Sequence, residues 1–232
     1  MLRLESCRIM NGDYAVEADL EIAPGACVAV IGPSGAGKST LVEAVAGFLP
    51  VTRGRILWRG ADLTRQAPGK RPVAMLFQDG NLFPHLTVAQ NVALGLHANL
   101  RLSAAEWSRV DAALERVGLG GMGTRKPAAL SGGQQSRVAL ARVLVQGRDI
   151  LLLDEPFAAL GPALKAEMLD LVAELARESG ATVLMVSHDP NDARRIADQV
   201  VLVAEGRAHE PQATAELLNN PPPALKAYLG SA

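Results

Sequence analysis

Residues 28–40, VAVIGPSGAGKST, run from a short apolar segment into a loop with glycines at Gly32, Gly35 and Gly37, and leave it through Lys38, Ser39 and Thr40. The order is strand, loop, helix start, and the spacing satisfies G-x-x-x-x-G-K-[ST] in the setting that motif needs. Such a loop suits a polyphosphate. Glycines let successive backbone N–H groups converge on phosphate oxygens with no side chain between them. Lys38 adds a mobile positive charge, the helix that follows points its positive end the same way, and the Ser39 hydroxyl can join a Mg²⁺ shell. Gly32, Pro33, Ser34, Gly35, Ala36, Gly37, Lys38, Ser39 and Thr40 are therefore the candidate nucleotide cradle. The alternative, a glycine-rich turn that binds nothing, fits a single such turn better than this full pattern.

The rest of the chain is ordinary in bulk. Its 232 residues, 49% hydrophobic and 20% charged, suit one globular domain with room for a small subdomain. A net charge of −1 argues against a nucleic-acid-binding surface. Cys7 and Cys27 lie in strand-like stretches and are expected as buried free thiols, which fits a reducing cytoplasm. The N-terminus lacks the apolar core of a signal peptide, and no apolar run is long enough for a membrane helix. Contact with a membrane is then expected only through a partner.

Outward from the loop, periodicity assigns the elements. Residues 15–22 alternate, with Val16, Ala18, Leu20 and Ile22 apolar between acidic residues, as in a half-solvated antiparallel strand. Residues 27–31 do not alternate and read as a central strand buried on both faces. A helix over 39–47, a short strand and turn over 53–63, and a second buried strand over 73–77 follow. Between 82 and 130 the pattern turns helical: Ser103 and Glu106 form a capping box, and Trp107, Val110, Leu114 and Val117 recur at helical spacing before Gly118. Trp107 on that apolar face reads as core more readily than as a ligand site. The reading continues with LSGGQ (130–134), a helix over 136–146, an apolar strand over 150–153, a helix from Pro162 to a stop at Gly180, a buried strand over 182–186 and a small hairpin over 199–210. The prolines from Pro221 are expected to end regular structure and leave a mobile tail. Repeated strand–loop–helix units argue for parallel strands with crossover helices.

Open α/β sheets place ligands beyond the carboxyl ends of their strands, and several chemically apt residues sit at such ends. Asp154 is placed to reach Mg²⁺, and Glu155 to orient or deprotonate an attacking water. Gln78 is placed to sense the γ-phosphate or its metal, and His188 to contact the γ-phosphate and hold the water. Taken singly, each also reads as a solvated loop residue. Ser131, Gly132, Gly133 and Gln134 open a helix like a second anion cradle, but without a lysine. If two copies pair head to tail, each such turn can close over the γ-phosphate held by the other. Driving a population from 1:99 to 99:1 takes about 5.5 kcal/mol, which a few charge-assisted hydrogen bonds of roughly 1.5–3 kcal/mol each can supply.

These residues resemble the ATP-binding subunits of the ABC transporter family over essentially the whole chain. GPSGAGKST resembles its Walker A motif, Gln78 its Q-loop, LSGGQQSRVALAR its signature, ILLLDEP its Walker B with catalytic glutamate, and the SHD at Ser187 its switch histidine. KRPVAMLFQDGNLFPHLTVAQNV and LLLDEPFAALGPAL are similar to the thiamine-import branch. The resemblance implies one ABC ATPase domain over 1–232 of α/β class: a P-loop NTPase core with parallel sheet and flanking helices, an N-terminal antiparallel β subdomain and a helical insertion over 82–130. It implies ATP and Mg²⁺ as ligands, with Ser39, Gln78 and Asp154 near the metal and Glu155, His188 and Gln78 catalytic. It also implies a homodimer, integral membrane permease subunits, a periplasmic solute-binding protein reached through the complex, no nucleic acid, and a peripheral place on the cytoplasmic face of the bacterial inner membrane.

Two departures stand out. Gly161 occupies the place of the family's usual Asp, and Met10 and Asn11 stand where an adenine-stacking aromatic is expected, which leaves Tyr14 as the nearest ring. In 79–91, Leu82, Phe83 and Leu86 suit either a permease contact or packing under the helical insertion. Importers of inorganic anions, ferric iron or polyamines share all these motifs. A non-transport ABC ATPase and a small-molecule kinase are the rival classes; the first usually shows tandem domains, a coiled coil or a basic surface, and the second has no use for LSGGQ.

Overall fold

The computed structural model describes residues 1–78 and 80–229. In chain order its elements are β1 (Leu2–Asn11), β2 (Tyr14–Ile22), β3 (Cys27–Ile31), α1 (Lys38–Ala46), β4 (Val51–Trp58), β5 (Ala61–Asp62), β6 (Val73–Leu76), α2 (Val88–Ala93) and α3 (Ala104–Arg116). There follow α4 (Gly132–Leu144), β7 (Ile150–Asp154), α5 (Pro162–Ser179), β8 (Thr182–Val186), α6 (Pro190–Ile196), β9 (Gln199–Ala204), β10 (Arg207–Ala208), β11 (Gln212–Ala213), α7 (Thr214–Asn219) and α8 (Pro223–Leu229).

The strands form one sheet ordered β5-β4-β1-β2-β10-β9-β3-β8-β7-β6, and β11 also pairs with β9. The run β9-β3-β8-β7-β6 is parallel. β7 shows why its strands are continuously apolar. Ile150 and Leu152 pack in the layer that holds Leu41, Val42 and Val45 of α1, while Leu151 and Leu153 pack in the layer that holds α4 and α5. With helices on both faces, neither face tolerates polar residues. β2 is different: Val16, Ala18, Leu20 and Ile22 are buried and alternate with exposed residues, as its period predicts.

Four expectations need correction. The hairpin over 199–210 exists, but β9 is a full strand of the parallel core beside β3, and the two-residue β10 joins that core to the antiparallel sheet by pairing with both β2 and β9. β6, the sheet edge, is only half-buried: Ala74 and Leu76 pack in the layer that holds α4 and α5, while Val73 and Met75 lie on the other face and are only partly covered. The segment after Arg53 belongs to an eight-residue strand that starts at Val51 and pairs with β1. Regular structure does not end at Pro221: Pro223, whose missing N–H costs nothing at a first helical position, opens α8, and Leu225 is buried. The remainder of the expected mobile tail, 230–232, lies outside the described residues.

Both cysteines are free and buried, and burial pushes the thiols up to about 11 for Cys7 and about 12 for Cys27, so both are protonated at neutral pH. Among the described residues no helix is long and apolar enough to cross a membrane. Trp107 is partly buried against the core layer that holds Val110, Leu114 and Val117.

One buried charge positions the phosphate-loop helix. Arg71, 2% exposed, donates to the carbonyls of Ala44 (2.8 Å), Val45 (2.9 Å), Gln66 (2.9 Å) and Thr64 (3.2 Å). It binds carbonyls at the C-terminal end of α1, where positive charge is favoured. Arg71→Met preserves much of the volume and removes every donor. It is expected to cost about 2–4 kcal/mol and to lower Tm by about 5–15 °C. Thermal denaturation of the nucleotide-free chain checks this, and a Tm within a degree or two of the parent would contradict it.

Candidate functional site

The loop 32–37 leaves the carboxyl end of β3 and feeds α1, and its two outer glycines are sterically required. A Cβ on Gly32 (φ 151°) would lie 1.9 Å from the Val203 carbonyl oxygen, and one on Gly37 (φ 97°) would lie 2.3 Å from Val16 Cγ2. Lys38, 8% exposed, donates through Nζ to the carbonyls of Gly32 and Pro33, both at 2.9 Å. The ammonium thus bridges the loop it follows. Burial lowers its pKa, and the carboxylates of Glu155 and Asp154 pull it back up.

Because β3, β8 and β7 are adjacent and parallel, their carboxyl ends lie side by side. At those ends Ser39 Oγ donates to Asp154 Oδ1 at 3.1 Å, joining α1 to β7. Burial raises the Asp154 pKa, the Ser39 bond opposes the rise, and Glu155 adds to it. Glu155 has φ 46°, rare for a residue with a side chain and of a kind that clusters at functional sites. Its N–H donates to the Val186 carbonyl at 3.2 Å, which fixes it between β7 and β8. Its Oε2 lies 3.3 Å from His188 Nδ1.

Thus Lys38, Ser39, Asp154, Glu155 and His188 meet in one place. Gln78 does not join them by any hydrogen bond among the described residues. It is exposed just beyond the sheet edge, in a cleft shared with Gly132, Gln135 and Pro156. Tyr14, at the start of β2, packs against the loop. Its hydroxyl donates to the Ala36 carbonyl at 3.0 Å, and its partly exposed ring abuts Gly37. Asn11 donates to the Thr40 hydroxyl at 3.3 Å, so the β1–β2 hairpin braces both flanks of the cradle.

The second cradle is built differently from expectation. α4 begins at Gly132, not 136, because Ser131 and Gln134 form a capping box: Gln134 N–H donates to Ser131 Oγ (3.3 Å) and Ser131 N–H to Gln134 Oε1 (3.0 Å). Gly132 and Gly133 are therefore in the first turn, where backbone N–H groups have no intrahelical acceptor. Among the described residues no hydrogen bond connects 131–134 to 32–40. At Gly161 a Cβ would meet nothing within 4 Å, so an aspartate fits there.

Several site-supporting residues carry no local sequence signal. Asn91, fully buried, accepts from the Phe83 N–H at 2.8 Å and donates to the carbonyls of Phe83 (3.1 Å) and Thr87 (3.0 Å). Arg142 of α4 donates to the Gly80 and Asn81 carbonyls. Together they hold the segment that follows Gln78; Asp79 itself lies outside the described residues. Of the apolar trio there, Leu82 packs against the core, whereas Phe83 is exposed. Phe48 and Phe77, both exposed, stand with ring centroids 5.8 Å apart. A buried Asn in a helical pattern is the one sign that sequence offers.

This strand–loop–helix cradle with an acidic pair at the carboxyl end of β7, one strand removed from β3, is that of an α/β P-loop NTPase, and the chain belongs to the ABC transporter family, whose model matches residues 16–158. Along its full length it is similar to a protein of Ruegeria sp. named thiamine import ATP-binding protein ThiQ, 66% identical over 231 residues and covering 100% of both chains. The protein of the same name from Cereibacter sphaeroides is 61% identical, covering 99% of this chain and 100% of its own. Among solved structures, the dimeric post-hydrolysis state of the ATP-binding cassette MJ0796 bound to ADP and Pi superposes with a TM-score of 0.78 at 29% identity, covering 92% of this chain and 99% of that one.

Proposed function

We propose that this chain is the ATP-hydrolysing subunit of an ABC importer that takes up thiamine. It works as a head-to-tail homodimer beneath integral membrane permease subunits, which a periplasmic solute-binding protein supplies, at the cytoplasmic face of the bacterial inner membrane. The observation that carries the ATPase reading is the junction of Ser39 with Asp154 next to the Glu155–His188 pair. The substrate reading is supported by full-length likeness to two thiamine import ATP-binding proteins.

In this reading the loop N–H groups and Lys38 hold the triphosphate. Ser39 and Asp154 offer adjacent hard oxygen donors, which suit Mg²⁺, a metal commonly held by one or two protein oxygens plus substrate phosphates; Gln78 is the third candidate. The ion, when bound, neutralises charge on the β- and γ-phosphates. Glu155 orients a water and takes its proton as the water attacks the γ-phosphorus, and His188 steadies the Glu155 carboxylate. Tyr14 is placed beside the loop for the adenine. Ser131, Gly132, Gly133 and Gln134 present the positive end of α4 to the nucleotide of the other copy. Residues 82–130 form a helical subdomain within a single ABC ATPase domain of 1–232. The exposed rings of Phe48, Phe77 and Phe83 suit an apolar permease contact.

Reconstitution with the permease and binding protein in liposomes tests the cargo. ATP hydrolysis is expected to rise several-fold when thiamine is supplied outside and to stay at its basal rate with molybdate, ferric iron or spermidine. Stimulation by one of those and not by thiamine would contradict the cargo assignment.

A further inference from the structure

His188 belongs to a strap, 187–189, that is held from an unexpected direction. Lys165 Nζ lies 3.0 Å from Asp189 Oδ2 and 2.7 Å from Asp192 Oδ1. Asp192 is buried, and its other oxygen accepts from the Ser187 hydroxyl at 2.5 Å. Ser187 Oγ in turn accepts from the Asp189 N–H at 3.1 Å, and Asp189 Oδ1 caps α6 by accepting from the Asn191 N–H at 2.9 Å. Both residues that flank His188 are thus tied to one ammonium, directly through Asp189 and indirectly through Ser187 and Asp192.

The other end of the link lies in α5. The Lys165 backbone N–H donates to the Gly161 carbonyl at 2.9 Å, the first helical bond of that element. Gly161 closes the segment 158–161, and a small, partly open cavity is lined by Glu155, Ala158, Lys165 and His188. No other cation lies within ion-pair distance of Asp189 or Asp192 among the described residues. Without Lys165 two neighbouring carboxylates, one of them buried, face each other with no counter-charge, and the strap keeps only its bonds through Ser187 and the Asn191 N–H.

We propose that Lys165 is a positioning residue: it couples segment 158–161 to His188, so that the placement of one sets the placement of the other. The inference rests on the role given above to His188 and deepens it. Burial disfavours the ammonium, yet the bonds to Asp192 and Asp189 more than offset this and raise its pKa, so the link is charged throughout the working pH range.

A double-mutant cycle on the full chain tests it, with steady-state ATP hydrolysis measured for the parent, Lys165→Met, His188→Ala and the pair. Lys165→Met is expected to lower kcat about 10-fold with KM for ATP within about twofold, and to have less than about a twofold effect once His188 is alanine. Lys165→Arg, which keeps the charge, should recover kcat to within about threefold of the parent. Should Lys165→Met fail to fold, Asp192→Asn is expected to give the same kcat signature at about threefold. Three results would overturn the inference: parental turnover in Lys165→Met while His188→Ala is slow; an equal further loss from Lys165→Met in the His188→Ala background; or a rise in KM with kcat unchanged. Parental turnover in His188→Ala would instead remove the role given to His188, and the inference with it.

Discussion

Glu155→Gln is expected to lower ATP turnover by about 10²–10⁴-fold while leaving ATP affinity within about threefold of the parent. The substitution is isosteric, so the φ 46° conformation and the Glu155 N–H to Val186 bond have no reason to change. The amide can still meet His188, but it cannot accept the proton that a water must lose. In the proposed reading the phosphate contacts belong to other residues, Lys38 and Ser39 on α1 and the loop amides, so they are expected to persist. Phosphate release and equilibrium nucleotide binding, measured on one preparation, separate the two effects. Turnover within a factor of two of the parent would remove Glu155 from its role.

Lys38→Ala is expected to act on the opposite quantity, weakening ATP binding about 10²-fold. Two charge-assisted hydrogen bonds of about 1.5 kcal/mol each correspond to that factor. The residue is 8% exposed and faces the field of Asp154 and Glu155. Without its ammonium, those two carboxylates would oppose an incoming polyphosphate with no counter-charge from α1. The loop would also lose the bonds that span the Gly32 and Pro33 carbonyls. Isothermal titration with ATP reads the loss, and an unchanged Kd would contradict the cradle argument. The two variants are thus opposite in signature: one binds without turning over, and the other scarcely binds.

What sequence revealed and concealed follows from the range of the forces involved. The cradle was legible because its chemistry is local. A loop that aims backbone N–H groups inward needs glycine where Val203 and Val16 leave no room for a Cβ, so the pattern prints itself on consecutive residues. The acidic end of β7 was legible because a strand covered on both faces by helices must be apolar up to its last residue. The role of β10 was hidden: two residues that pair with β2 on one side and β9 on the other carry no periodicity. Edge placement of β6 was hidden for the same reason, since strand order is decided by tertiary packing and not by composition. Arg71, Asn91 and Arg142 carry no sequence signal because they donate to backbone carbonyls, which have no residue type to look for, and Lys165 carries none because its two aspartates lie more than twenty residues away.

The capping box at Ser131 bears most on mechanism. It ties Ser131 to Gln134 and leaves the Gly132 and Gly133 N–H groups without an intrahelical acceptor, and among the described residues no hydrogen bond connects this turn to the chain's own cradle. In the proposed reading a complete site needs a second copy. The most direct test is the molecular mass of the Glu155→Gln chain in solution with and without Mg-ATP, measured by light scattering after gel filtration and repeated with the permease present. The account predicts a species of twice the chain's mass that appears with Mg-ATP and reverts to monomer when nucleotide is removed. A chain that stays strictly monomeric with Mg-ATP bound, even beside its permease, would contradict it.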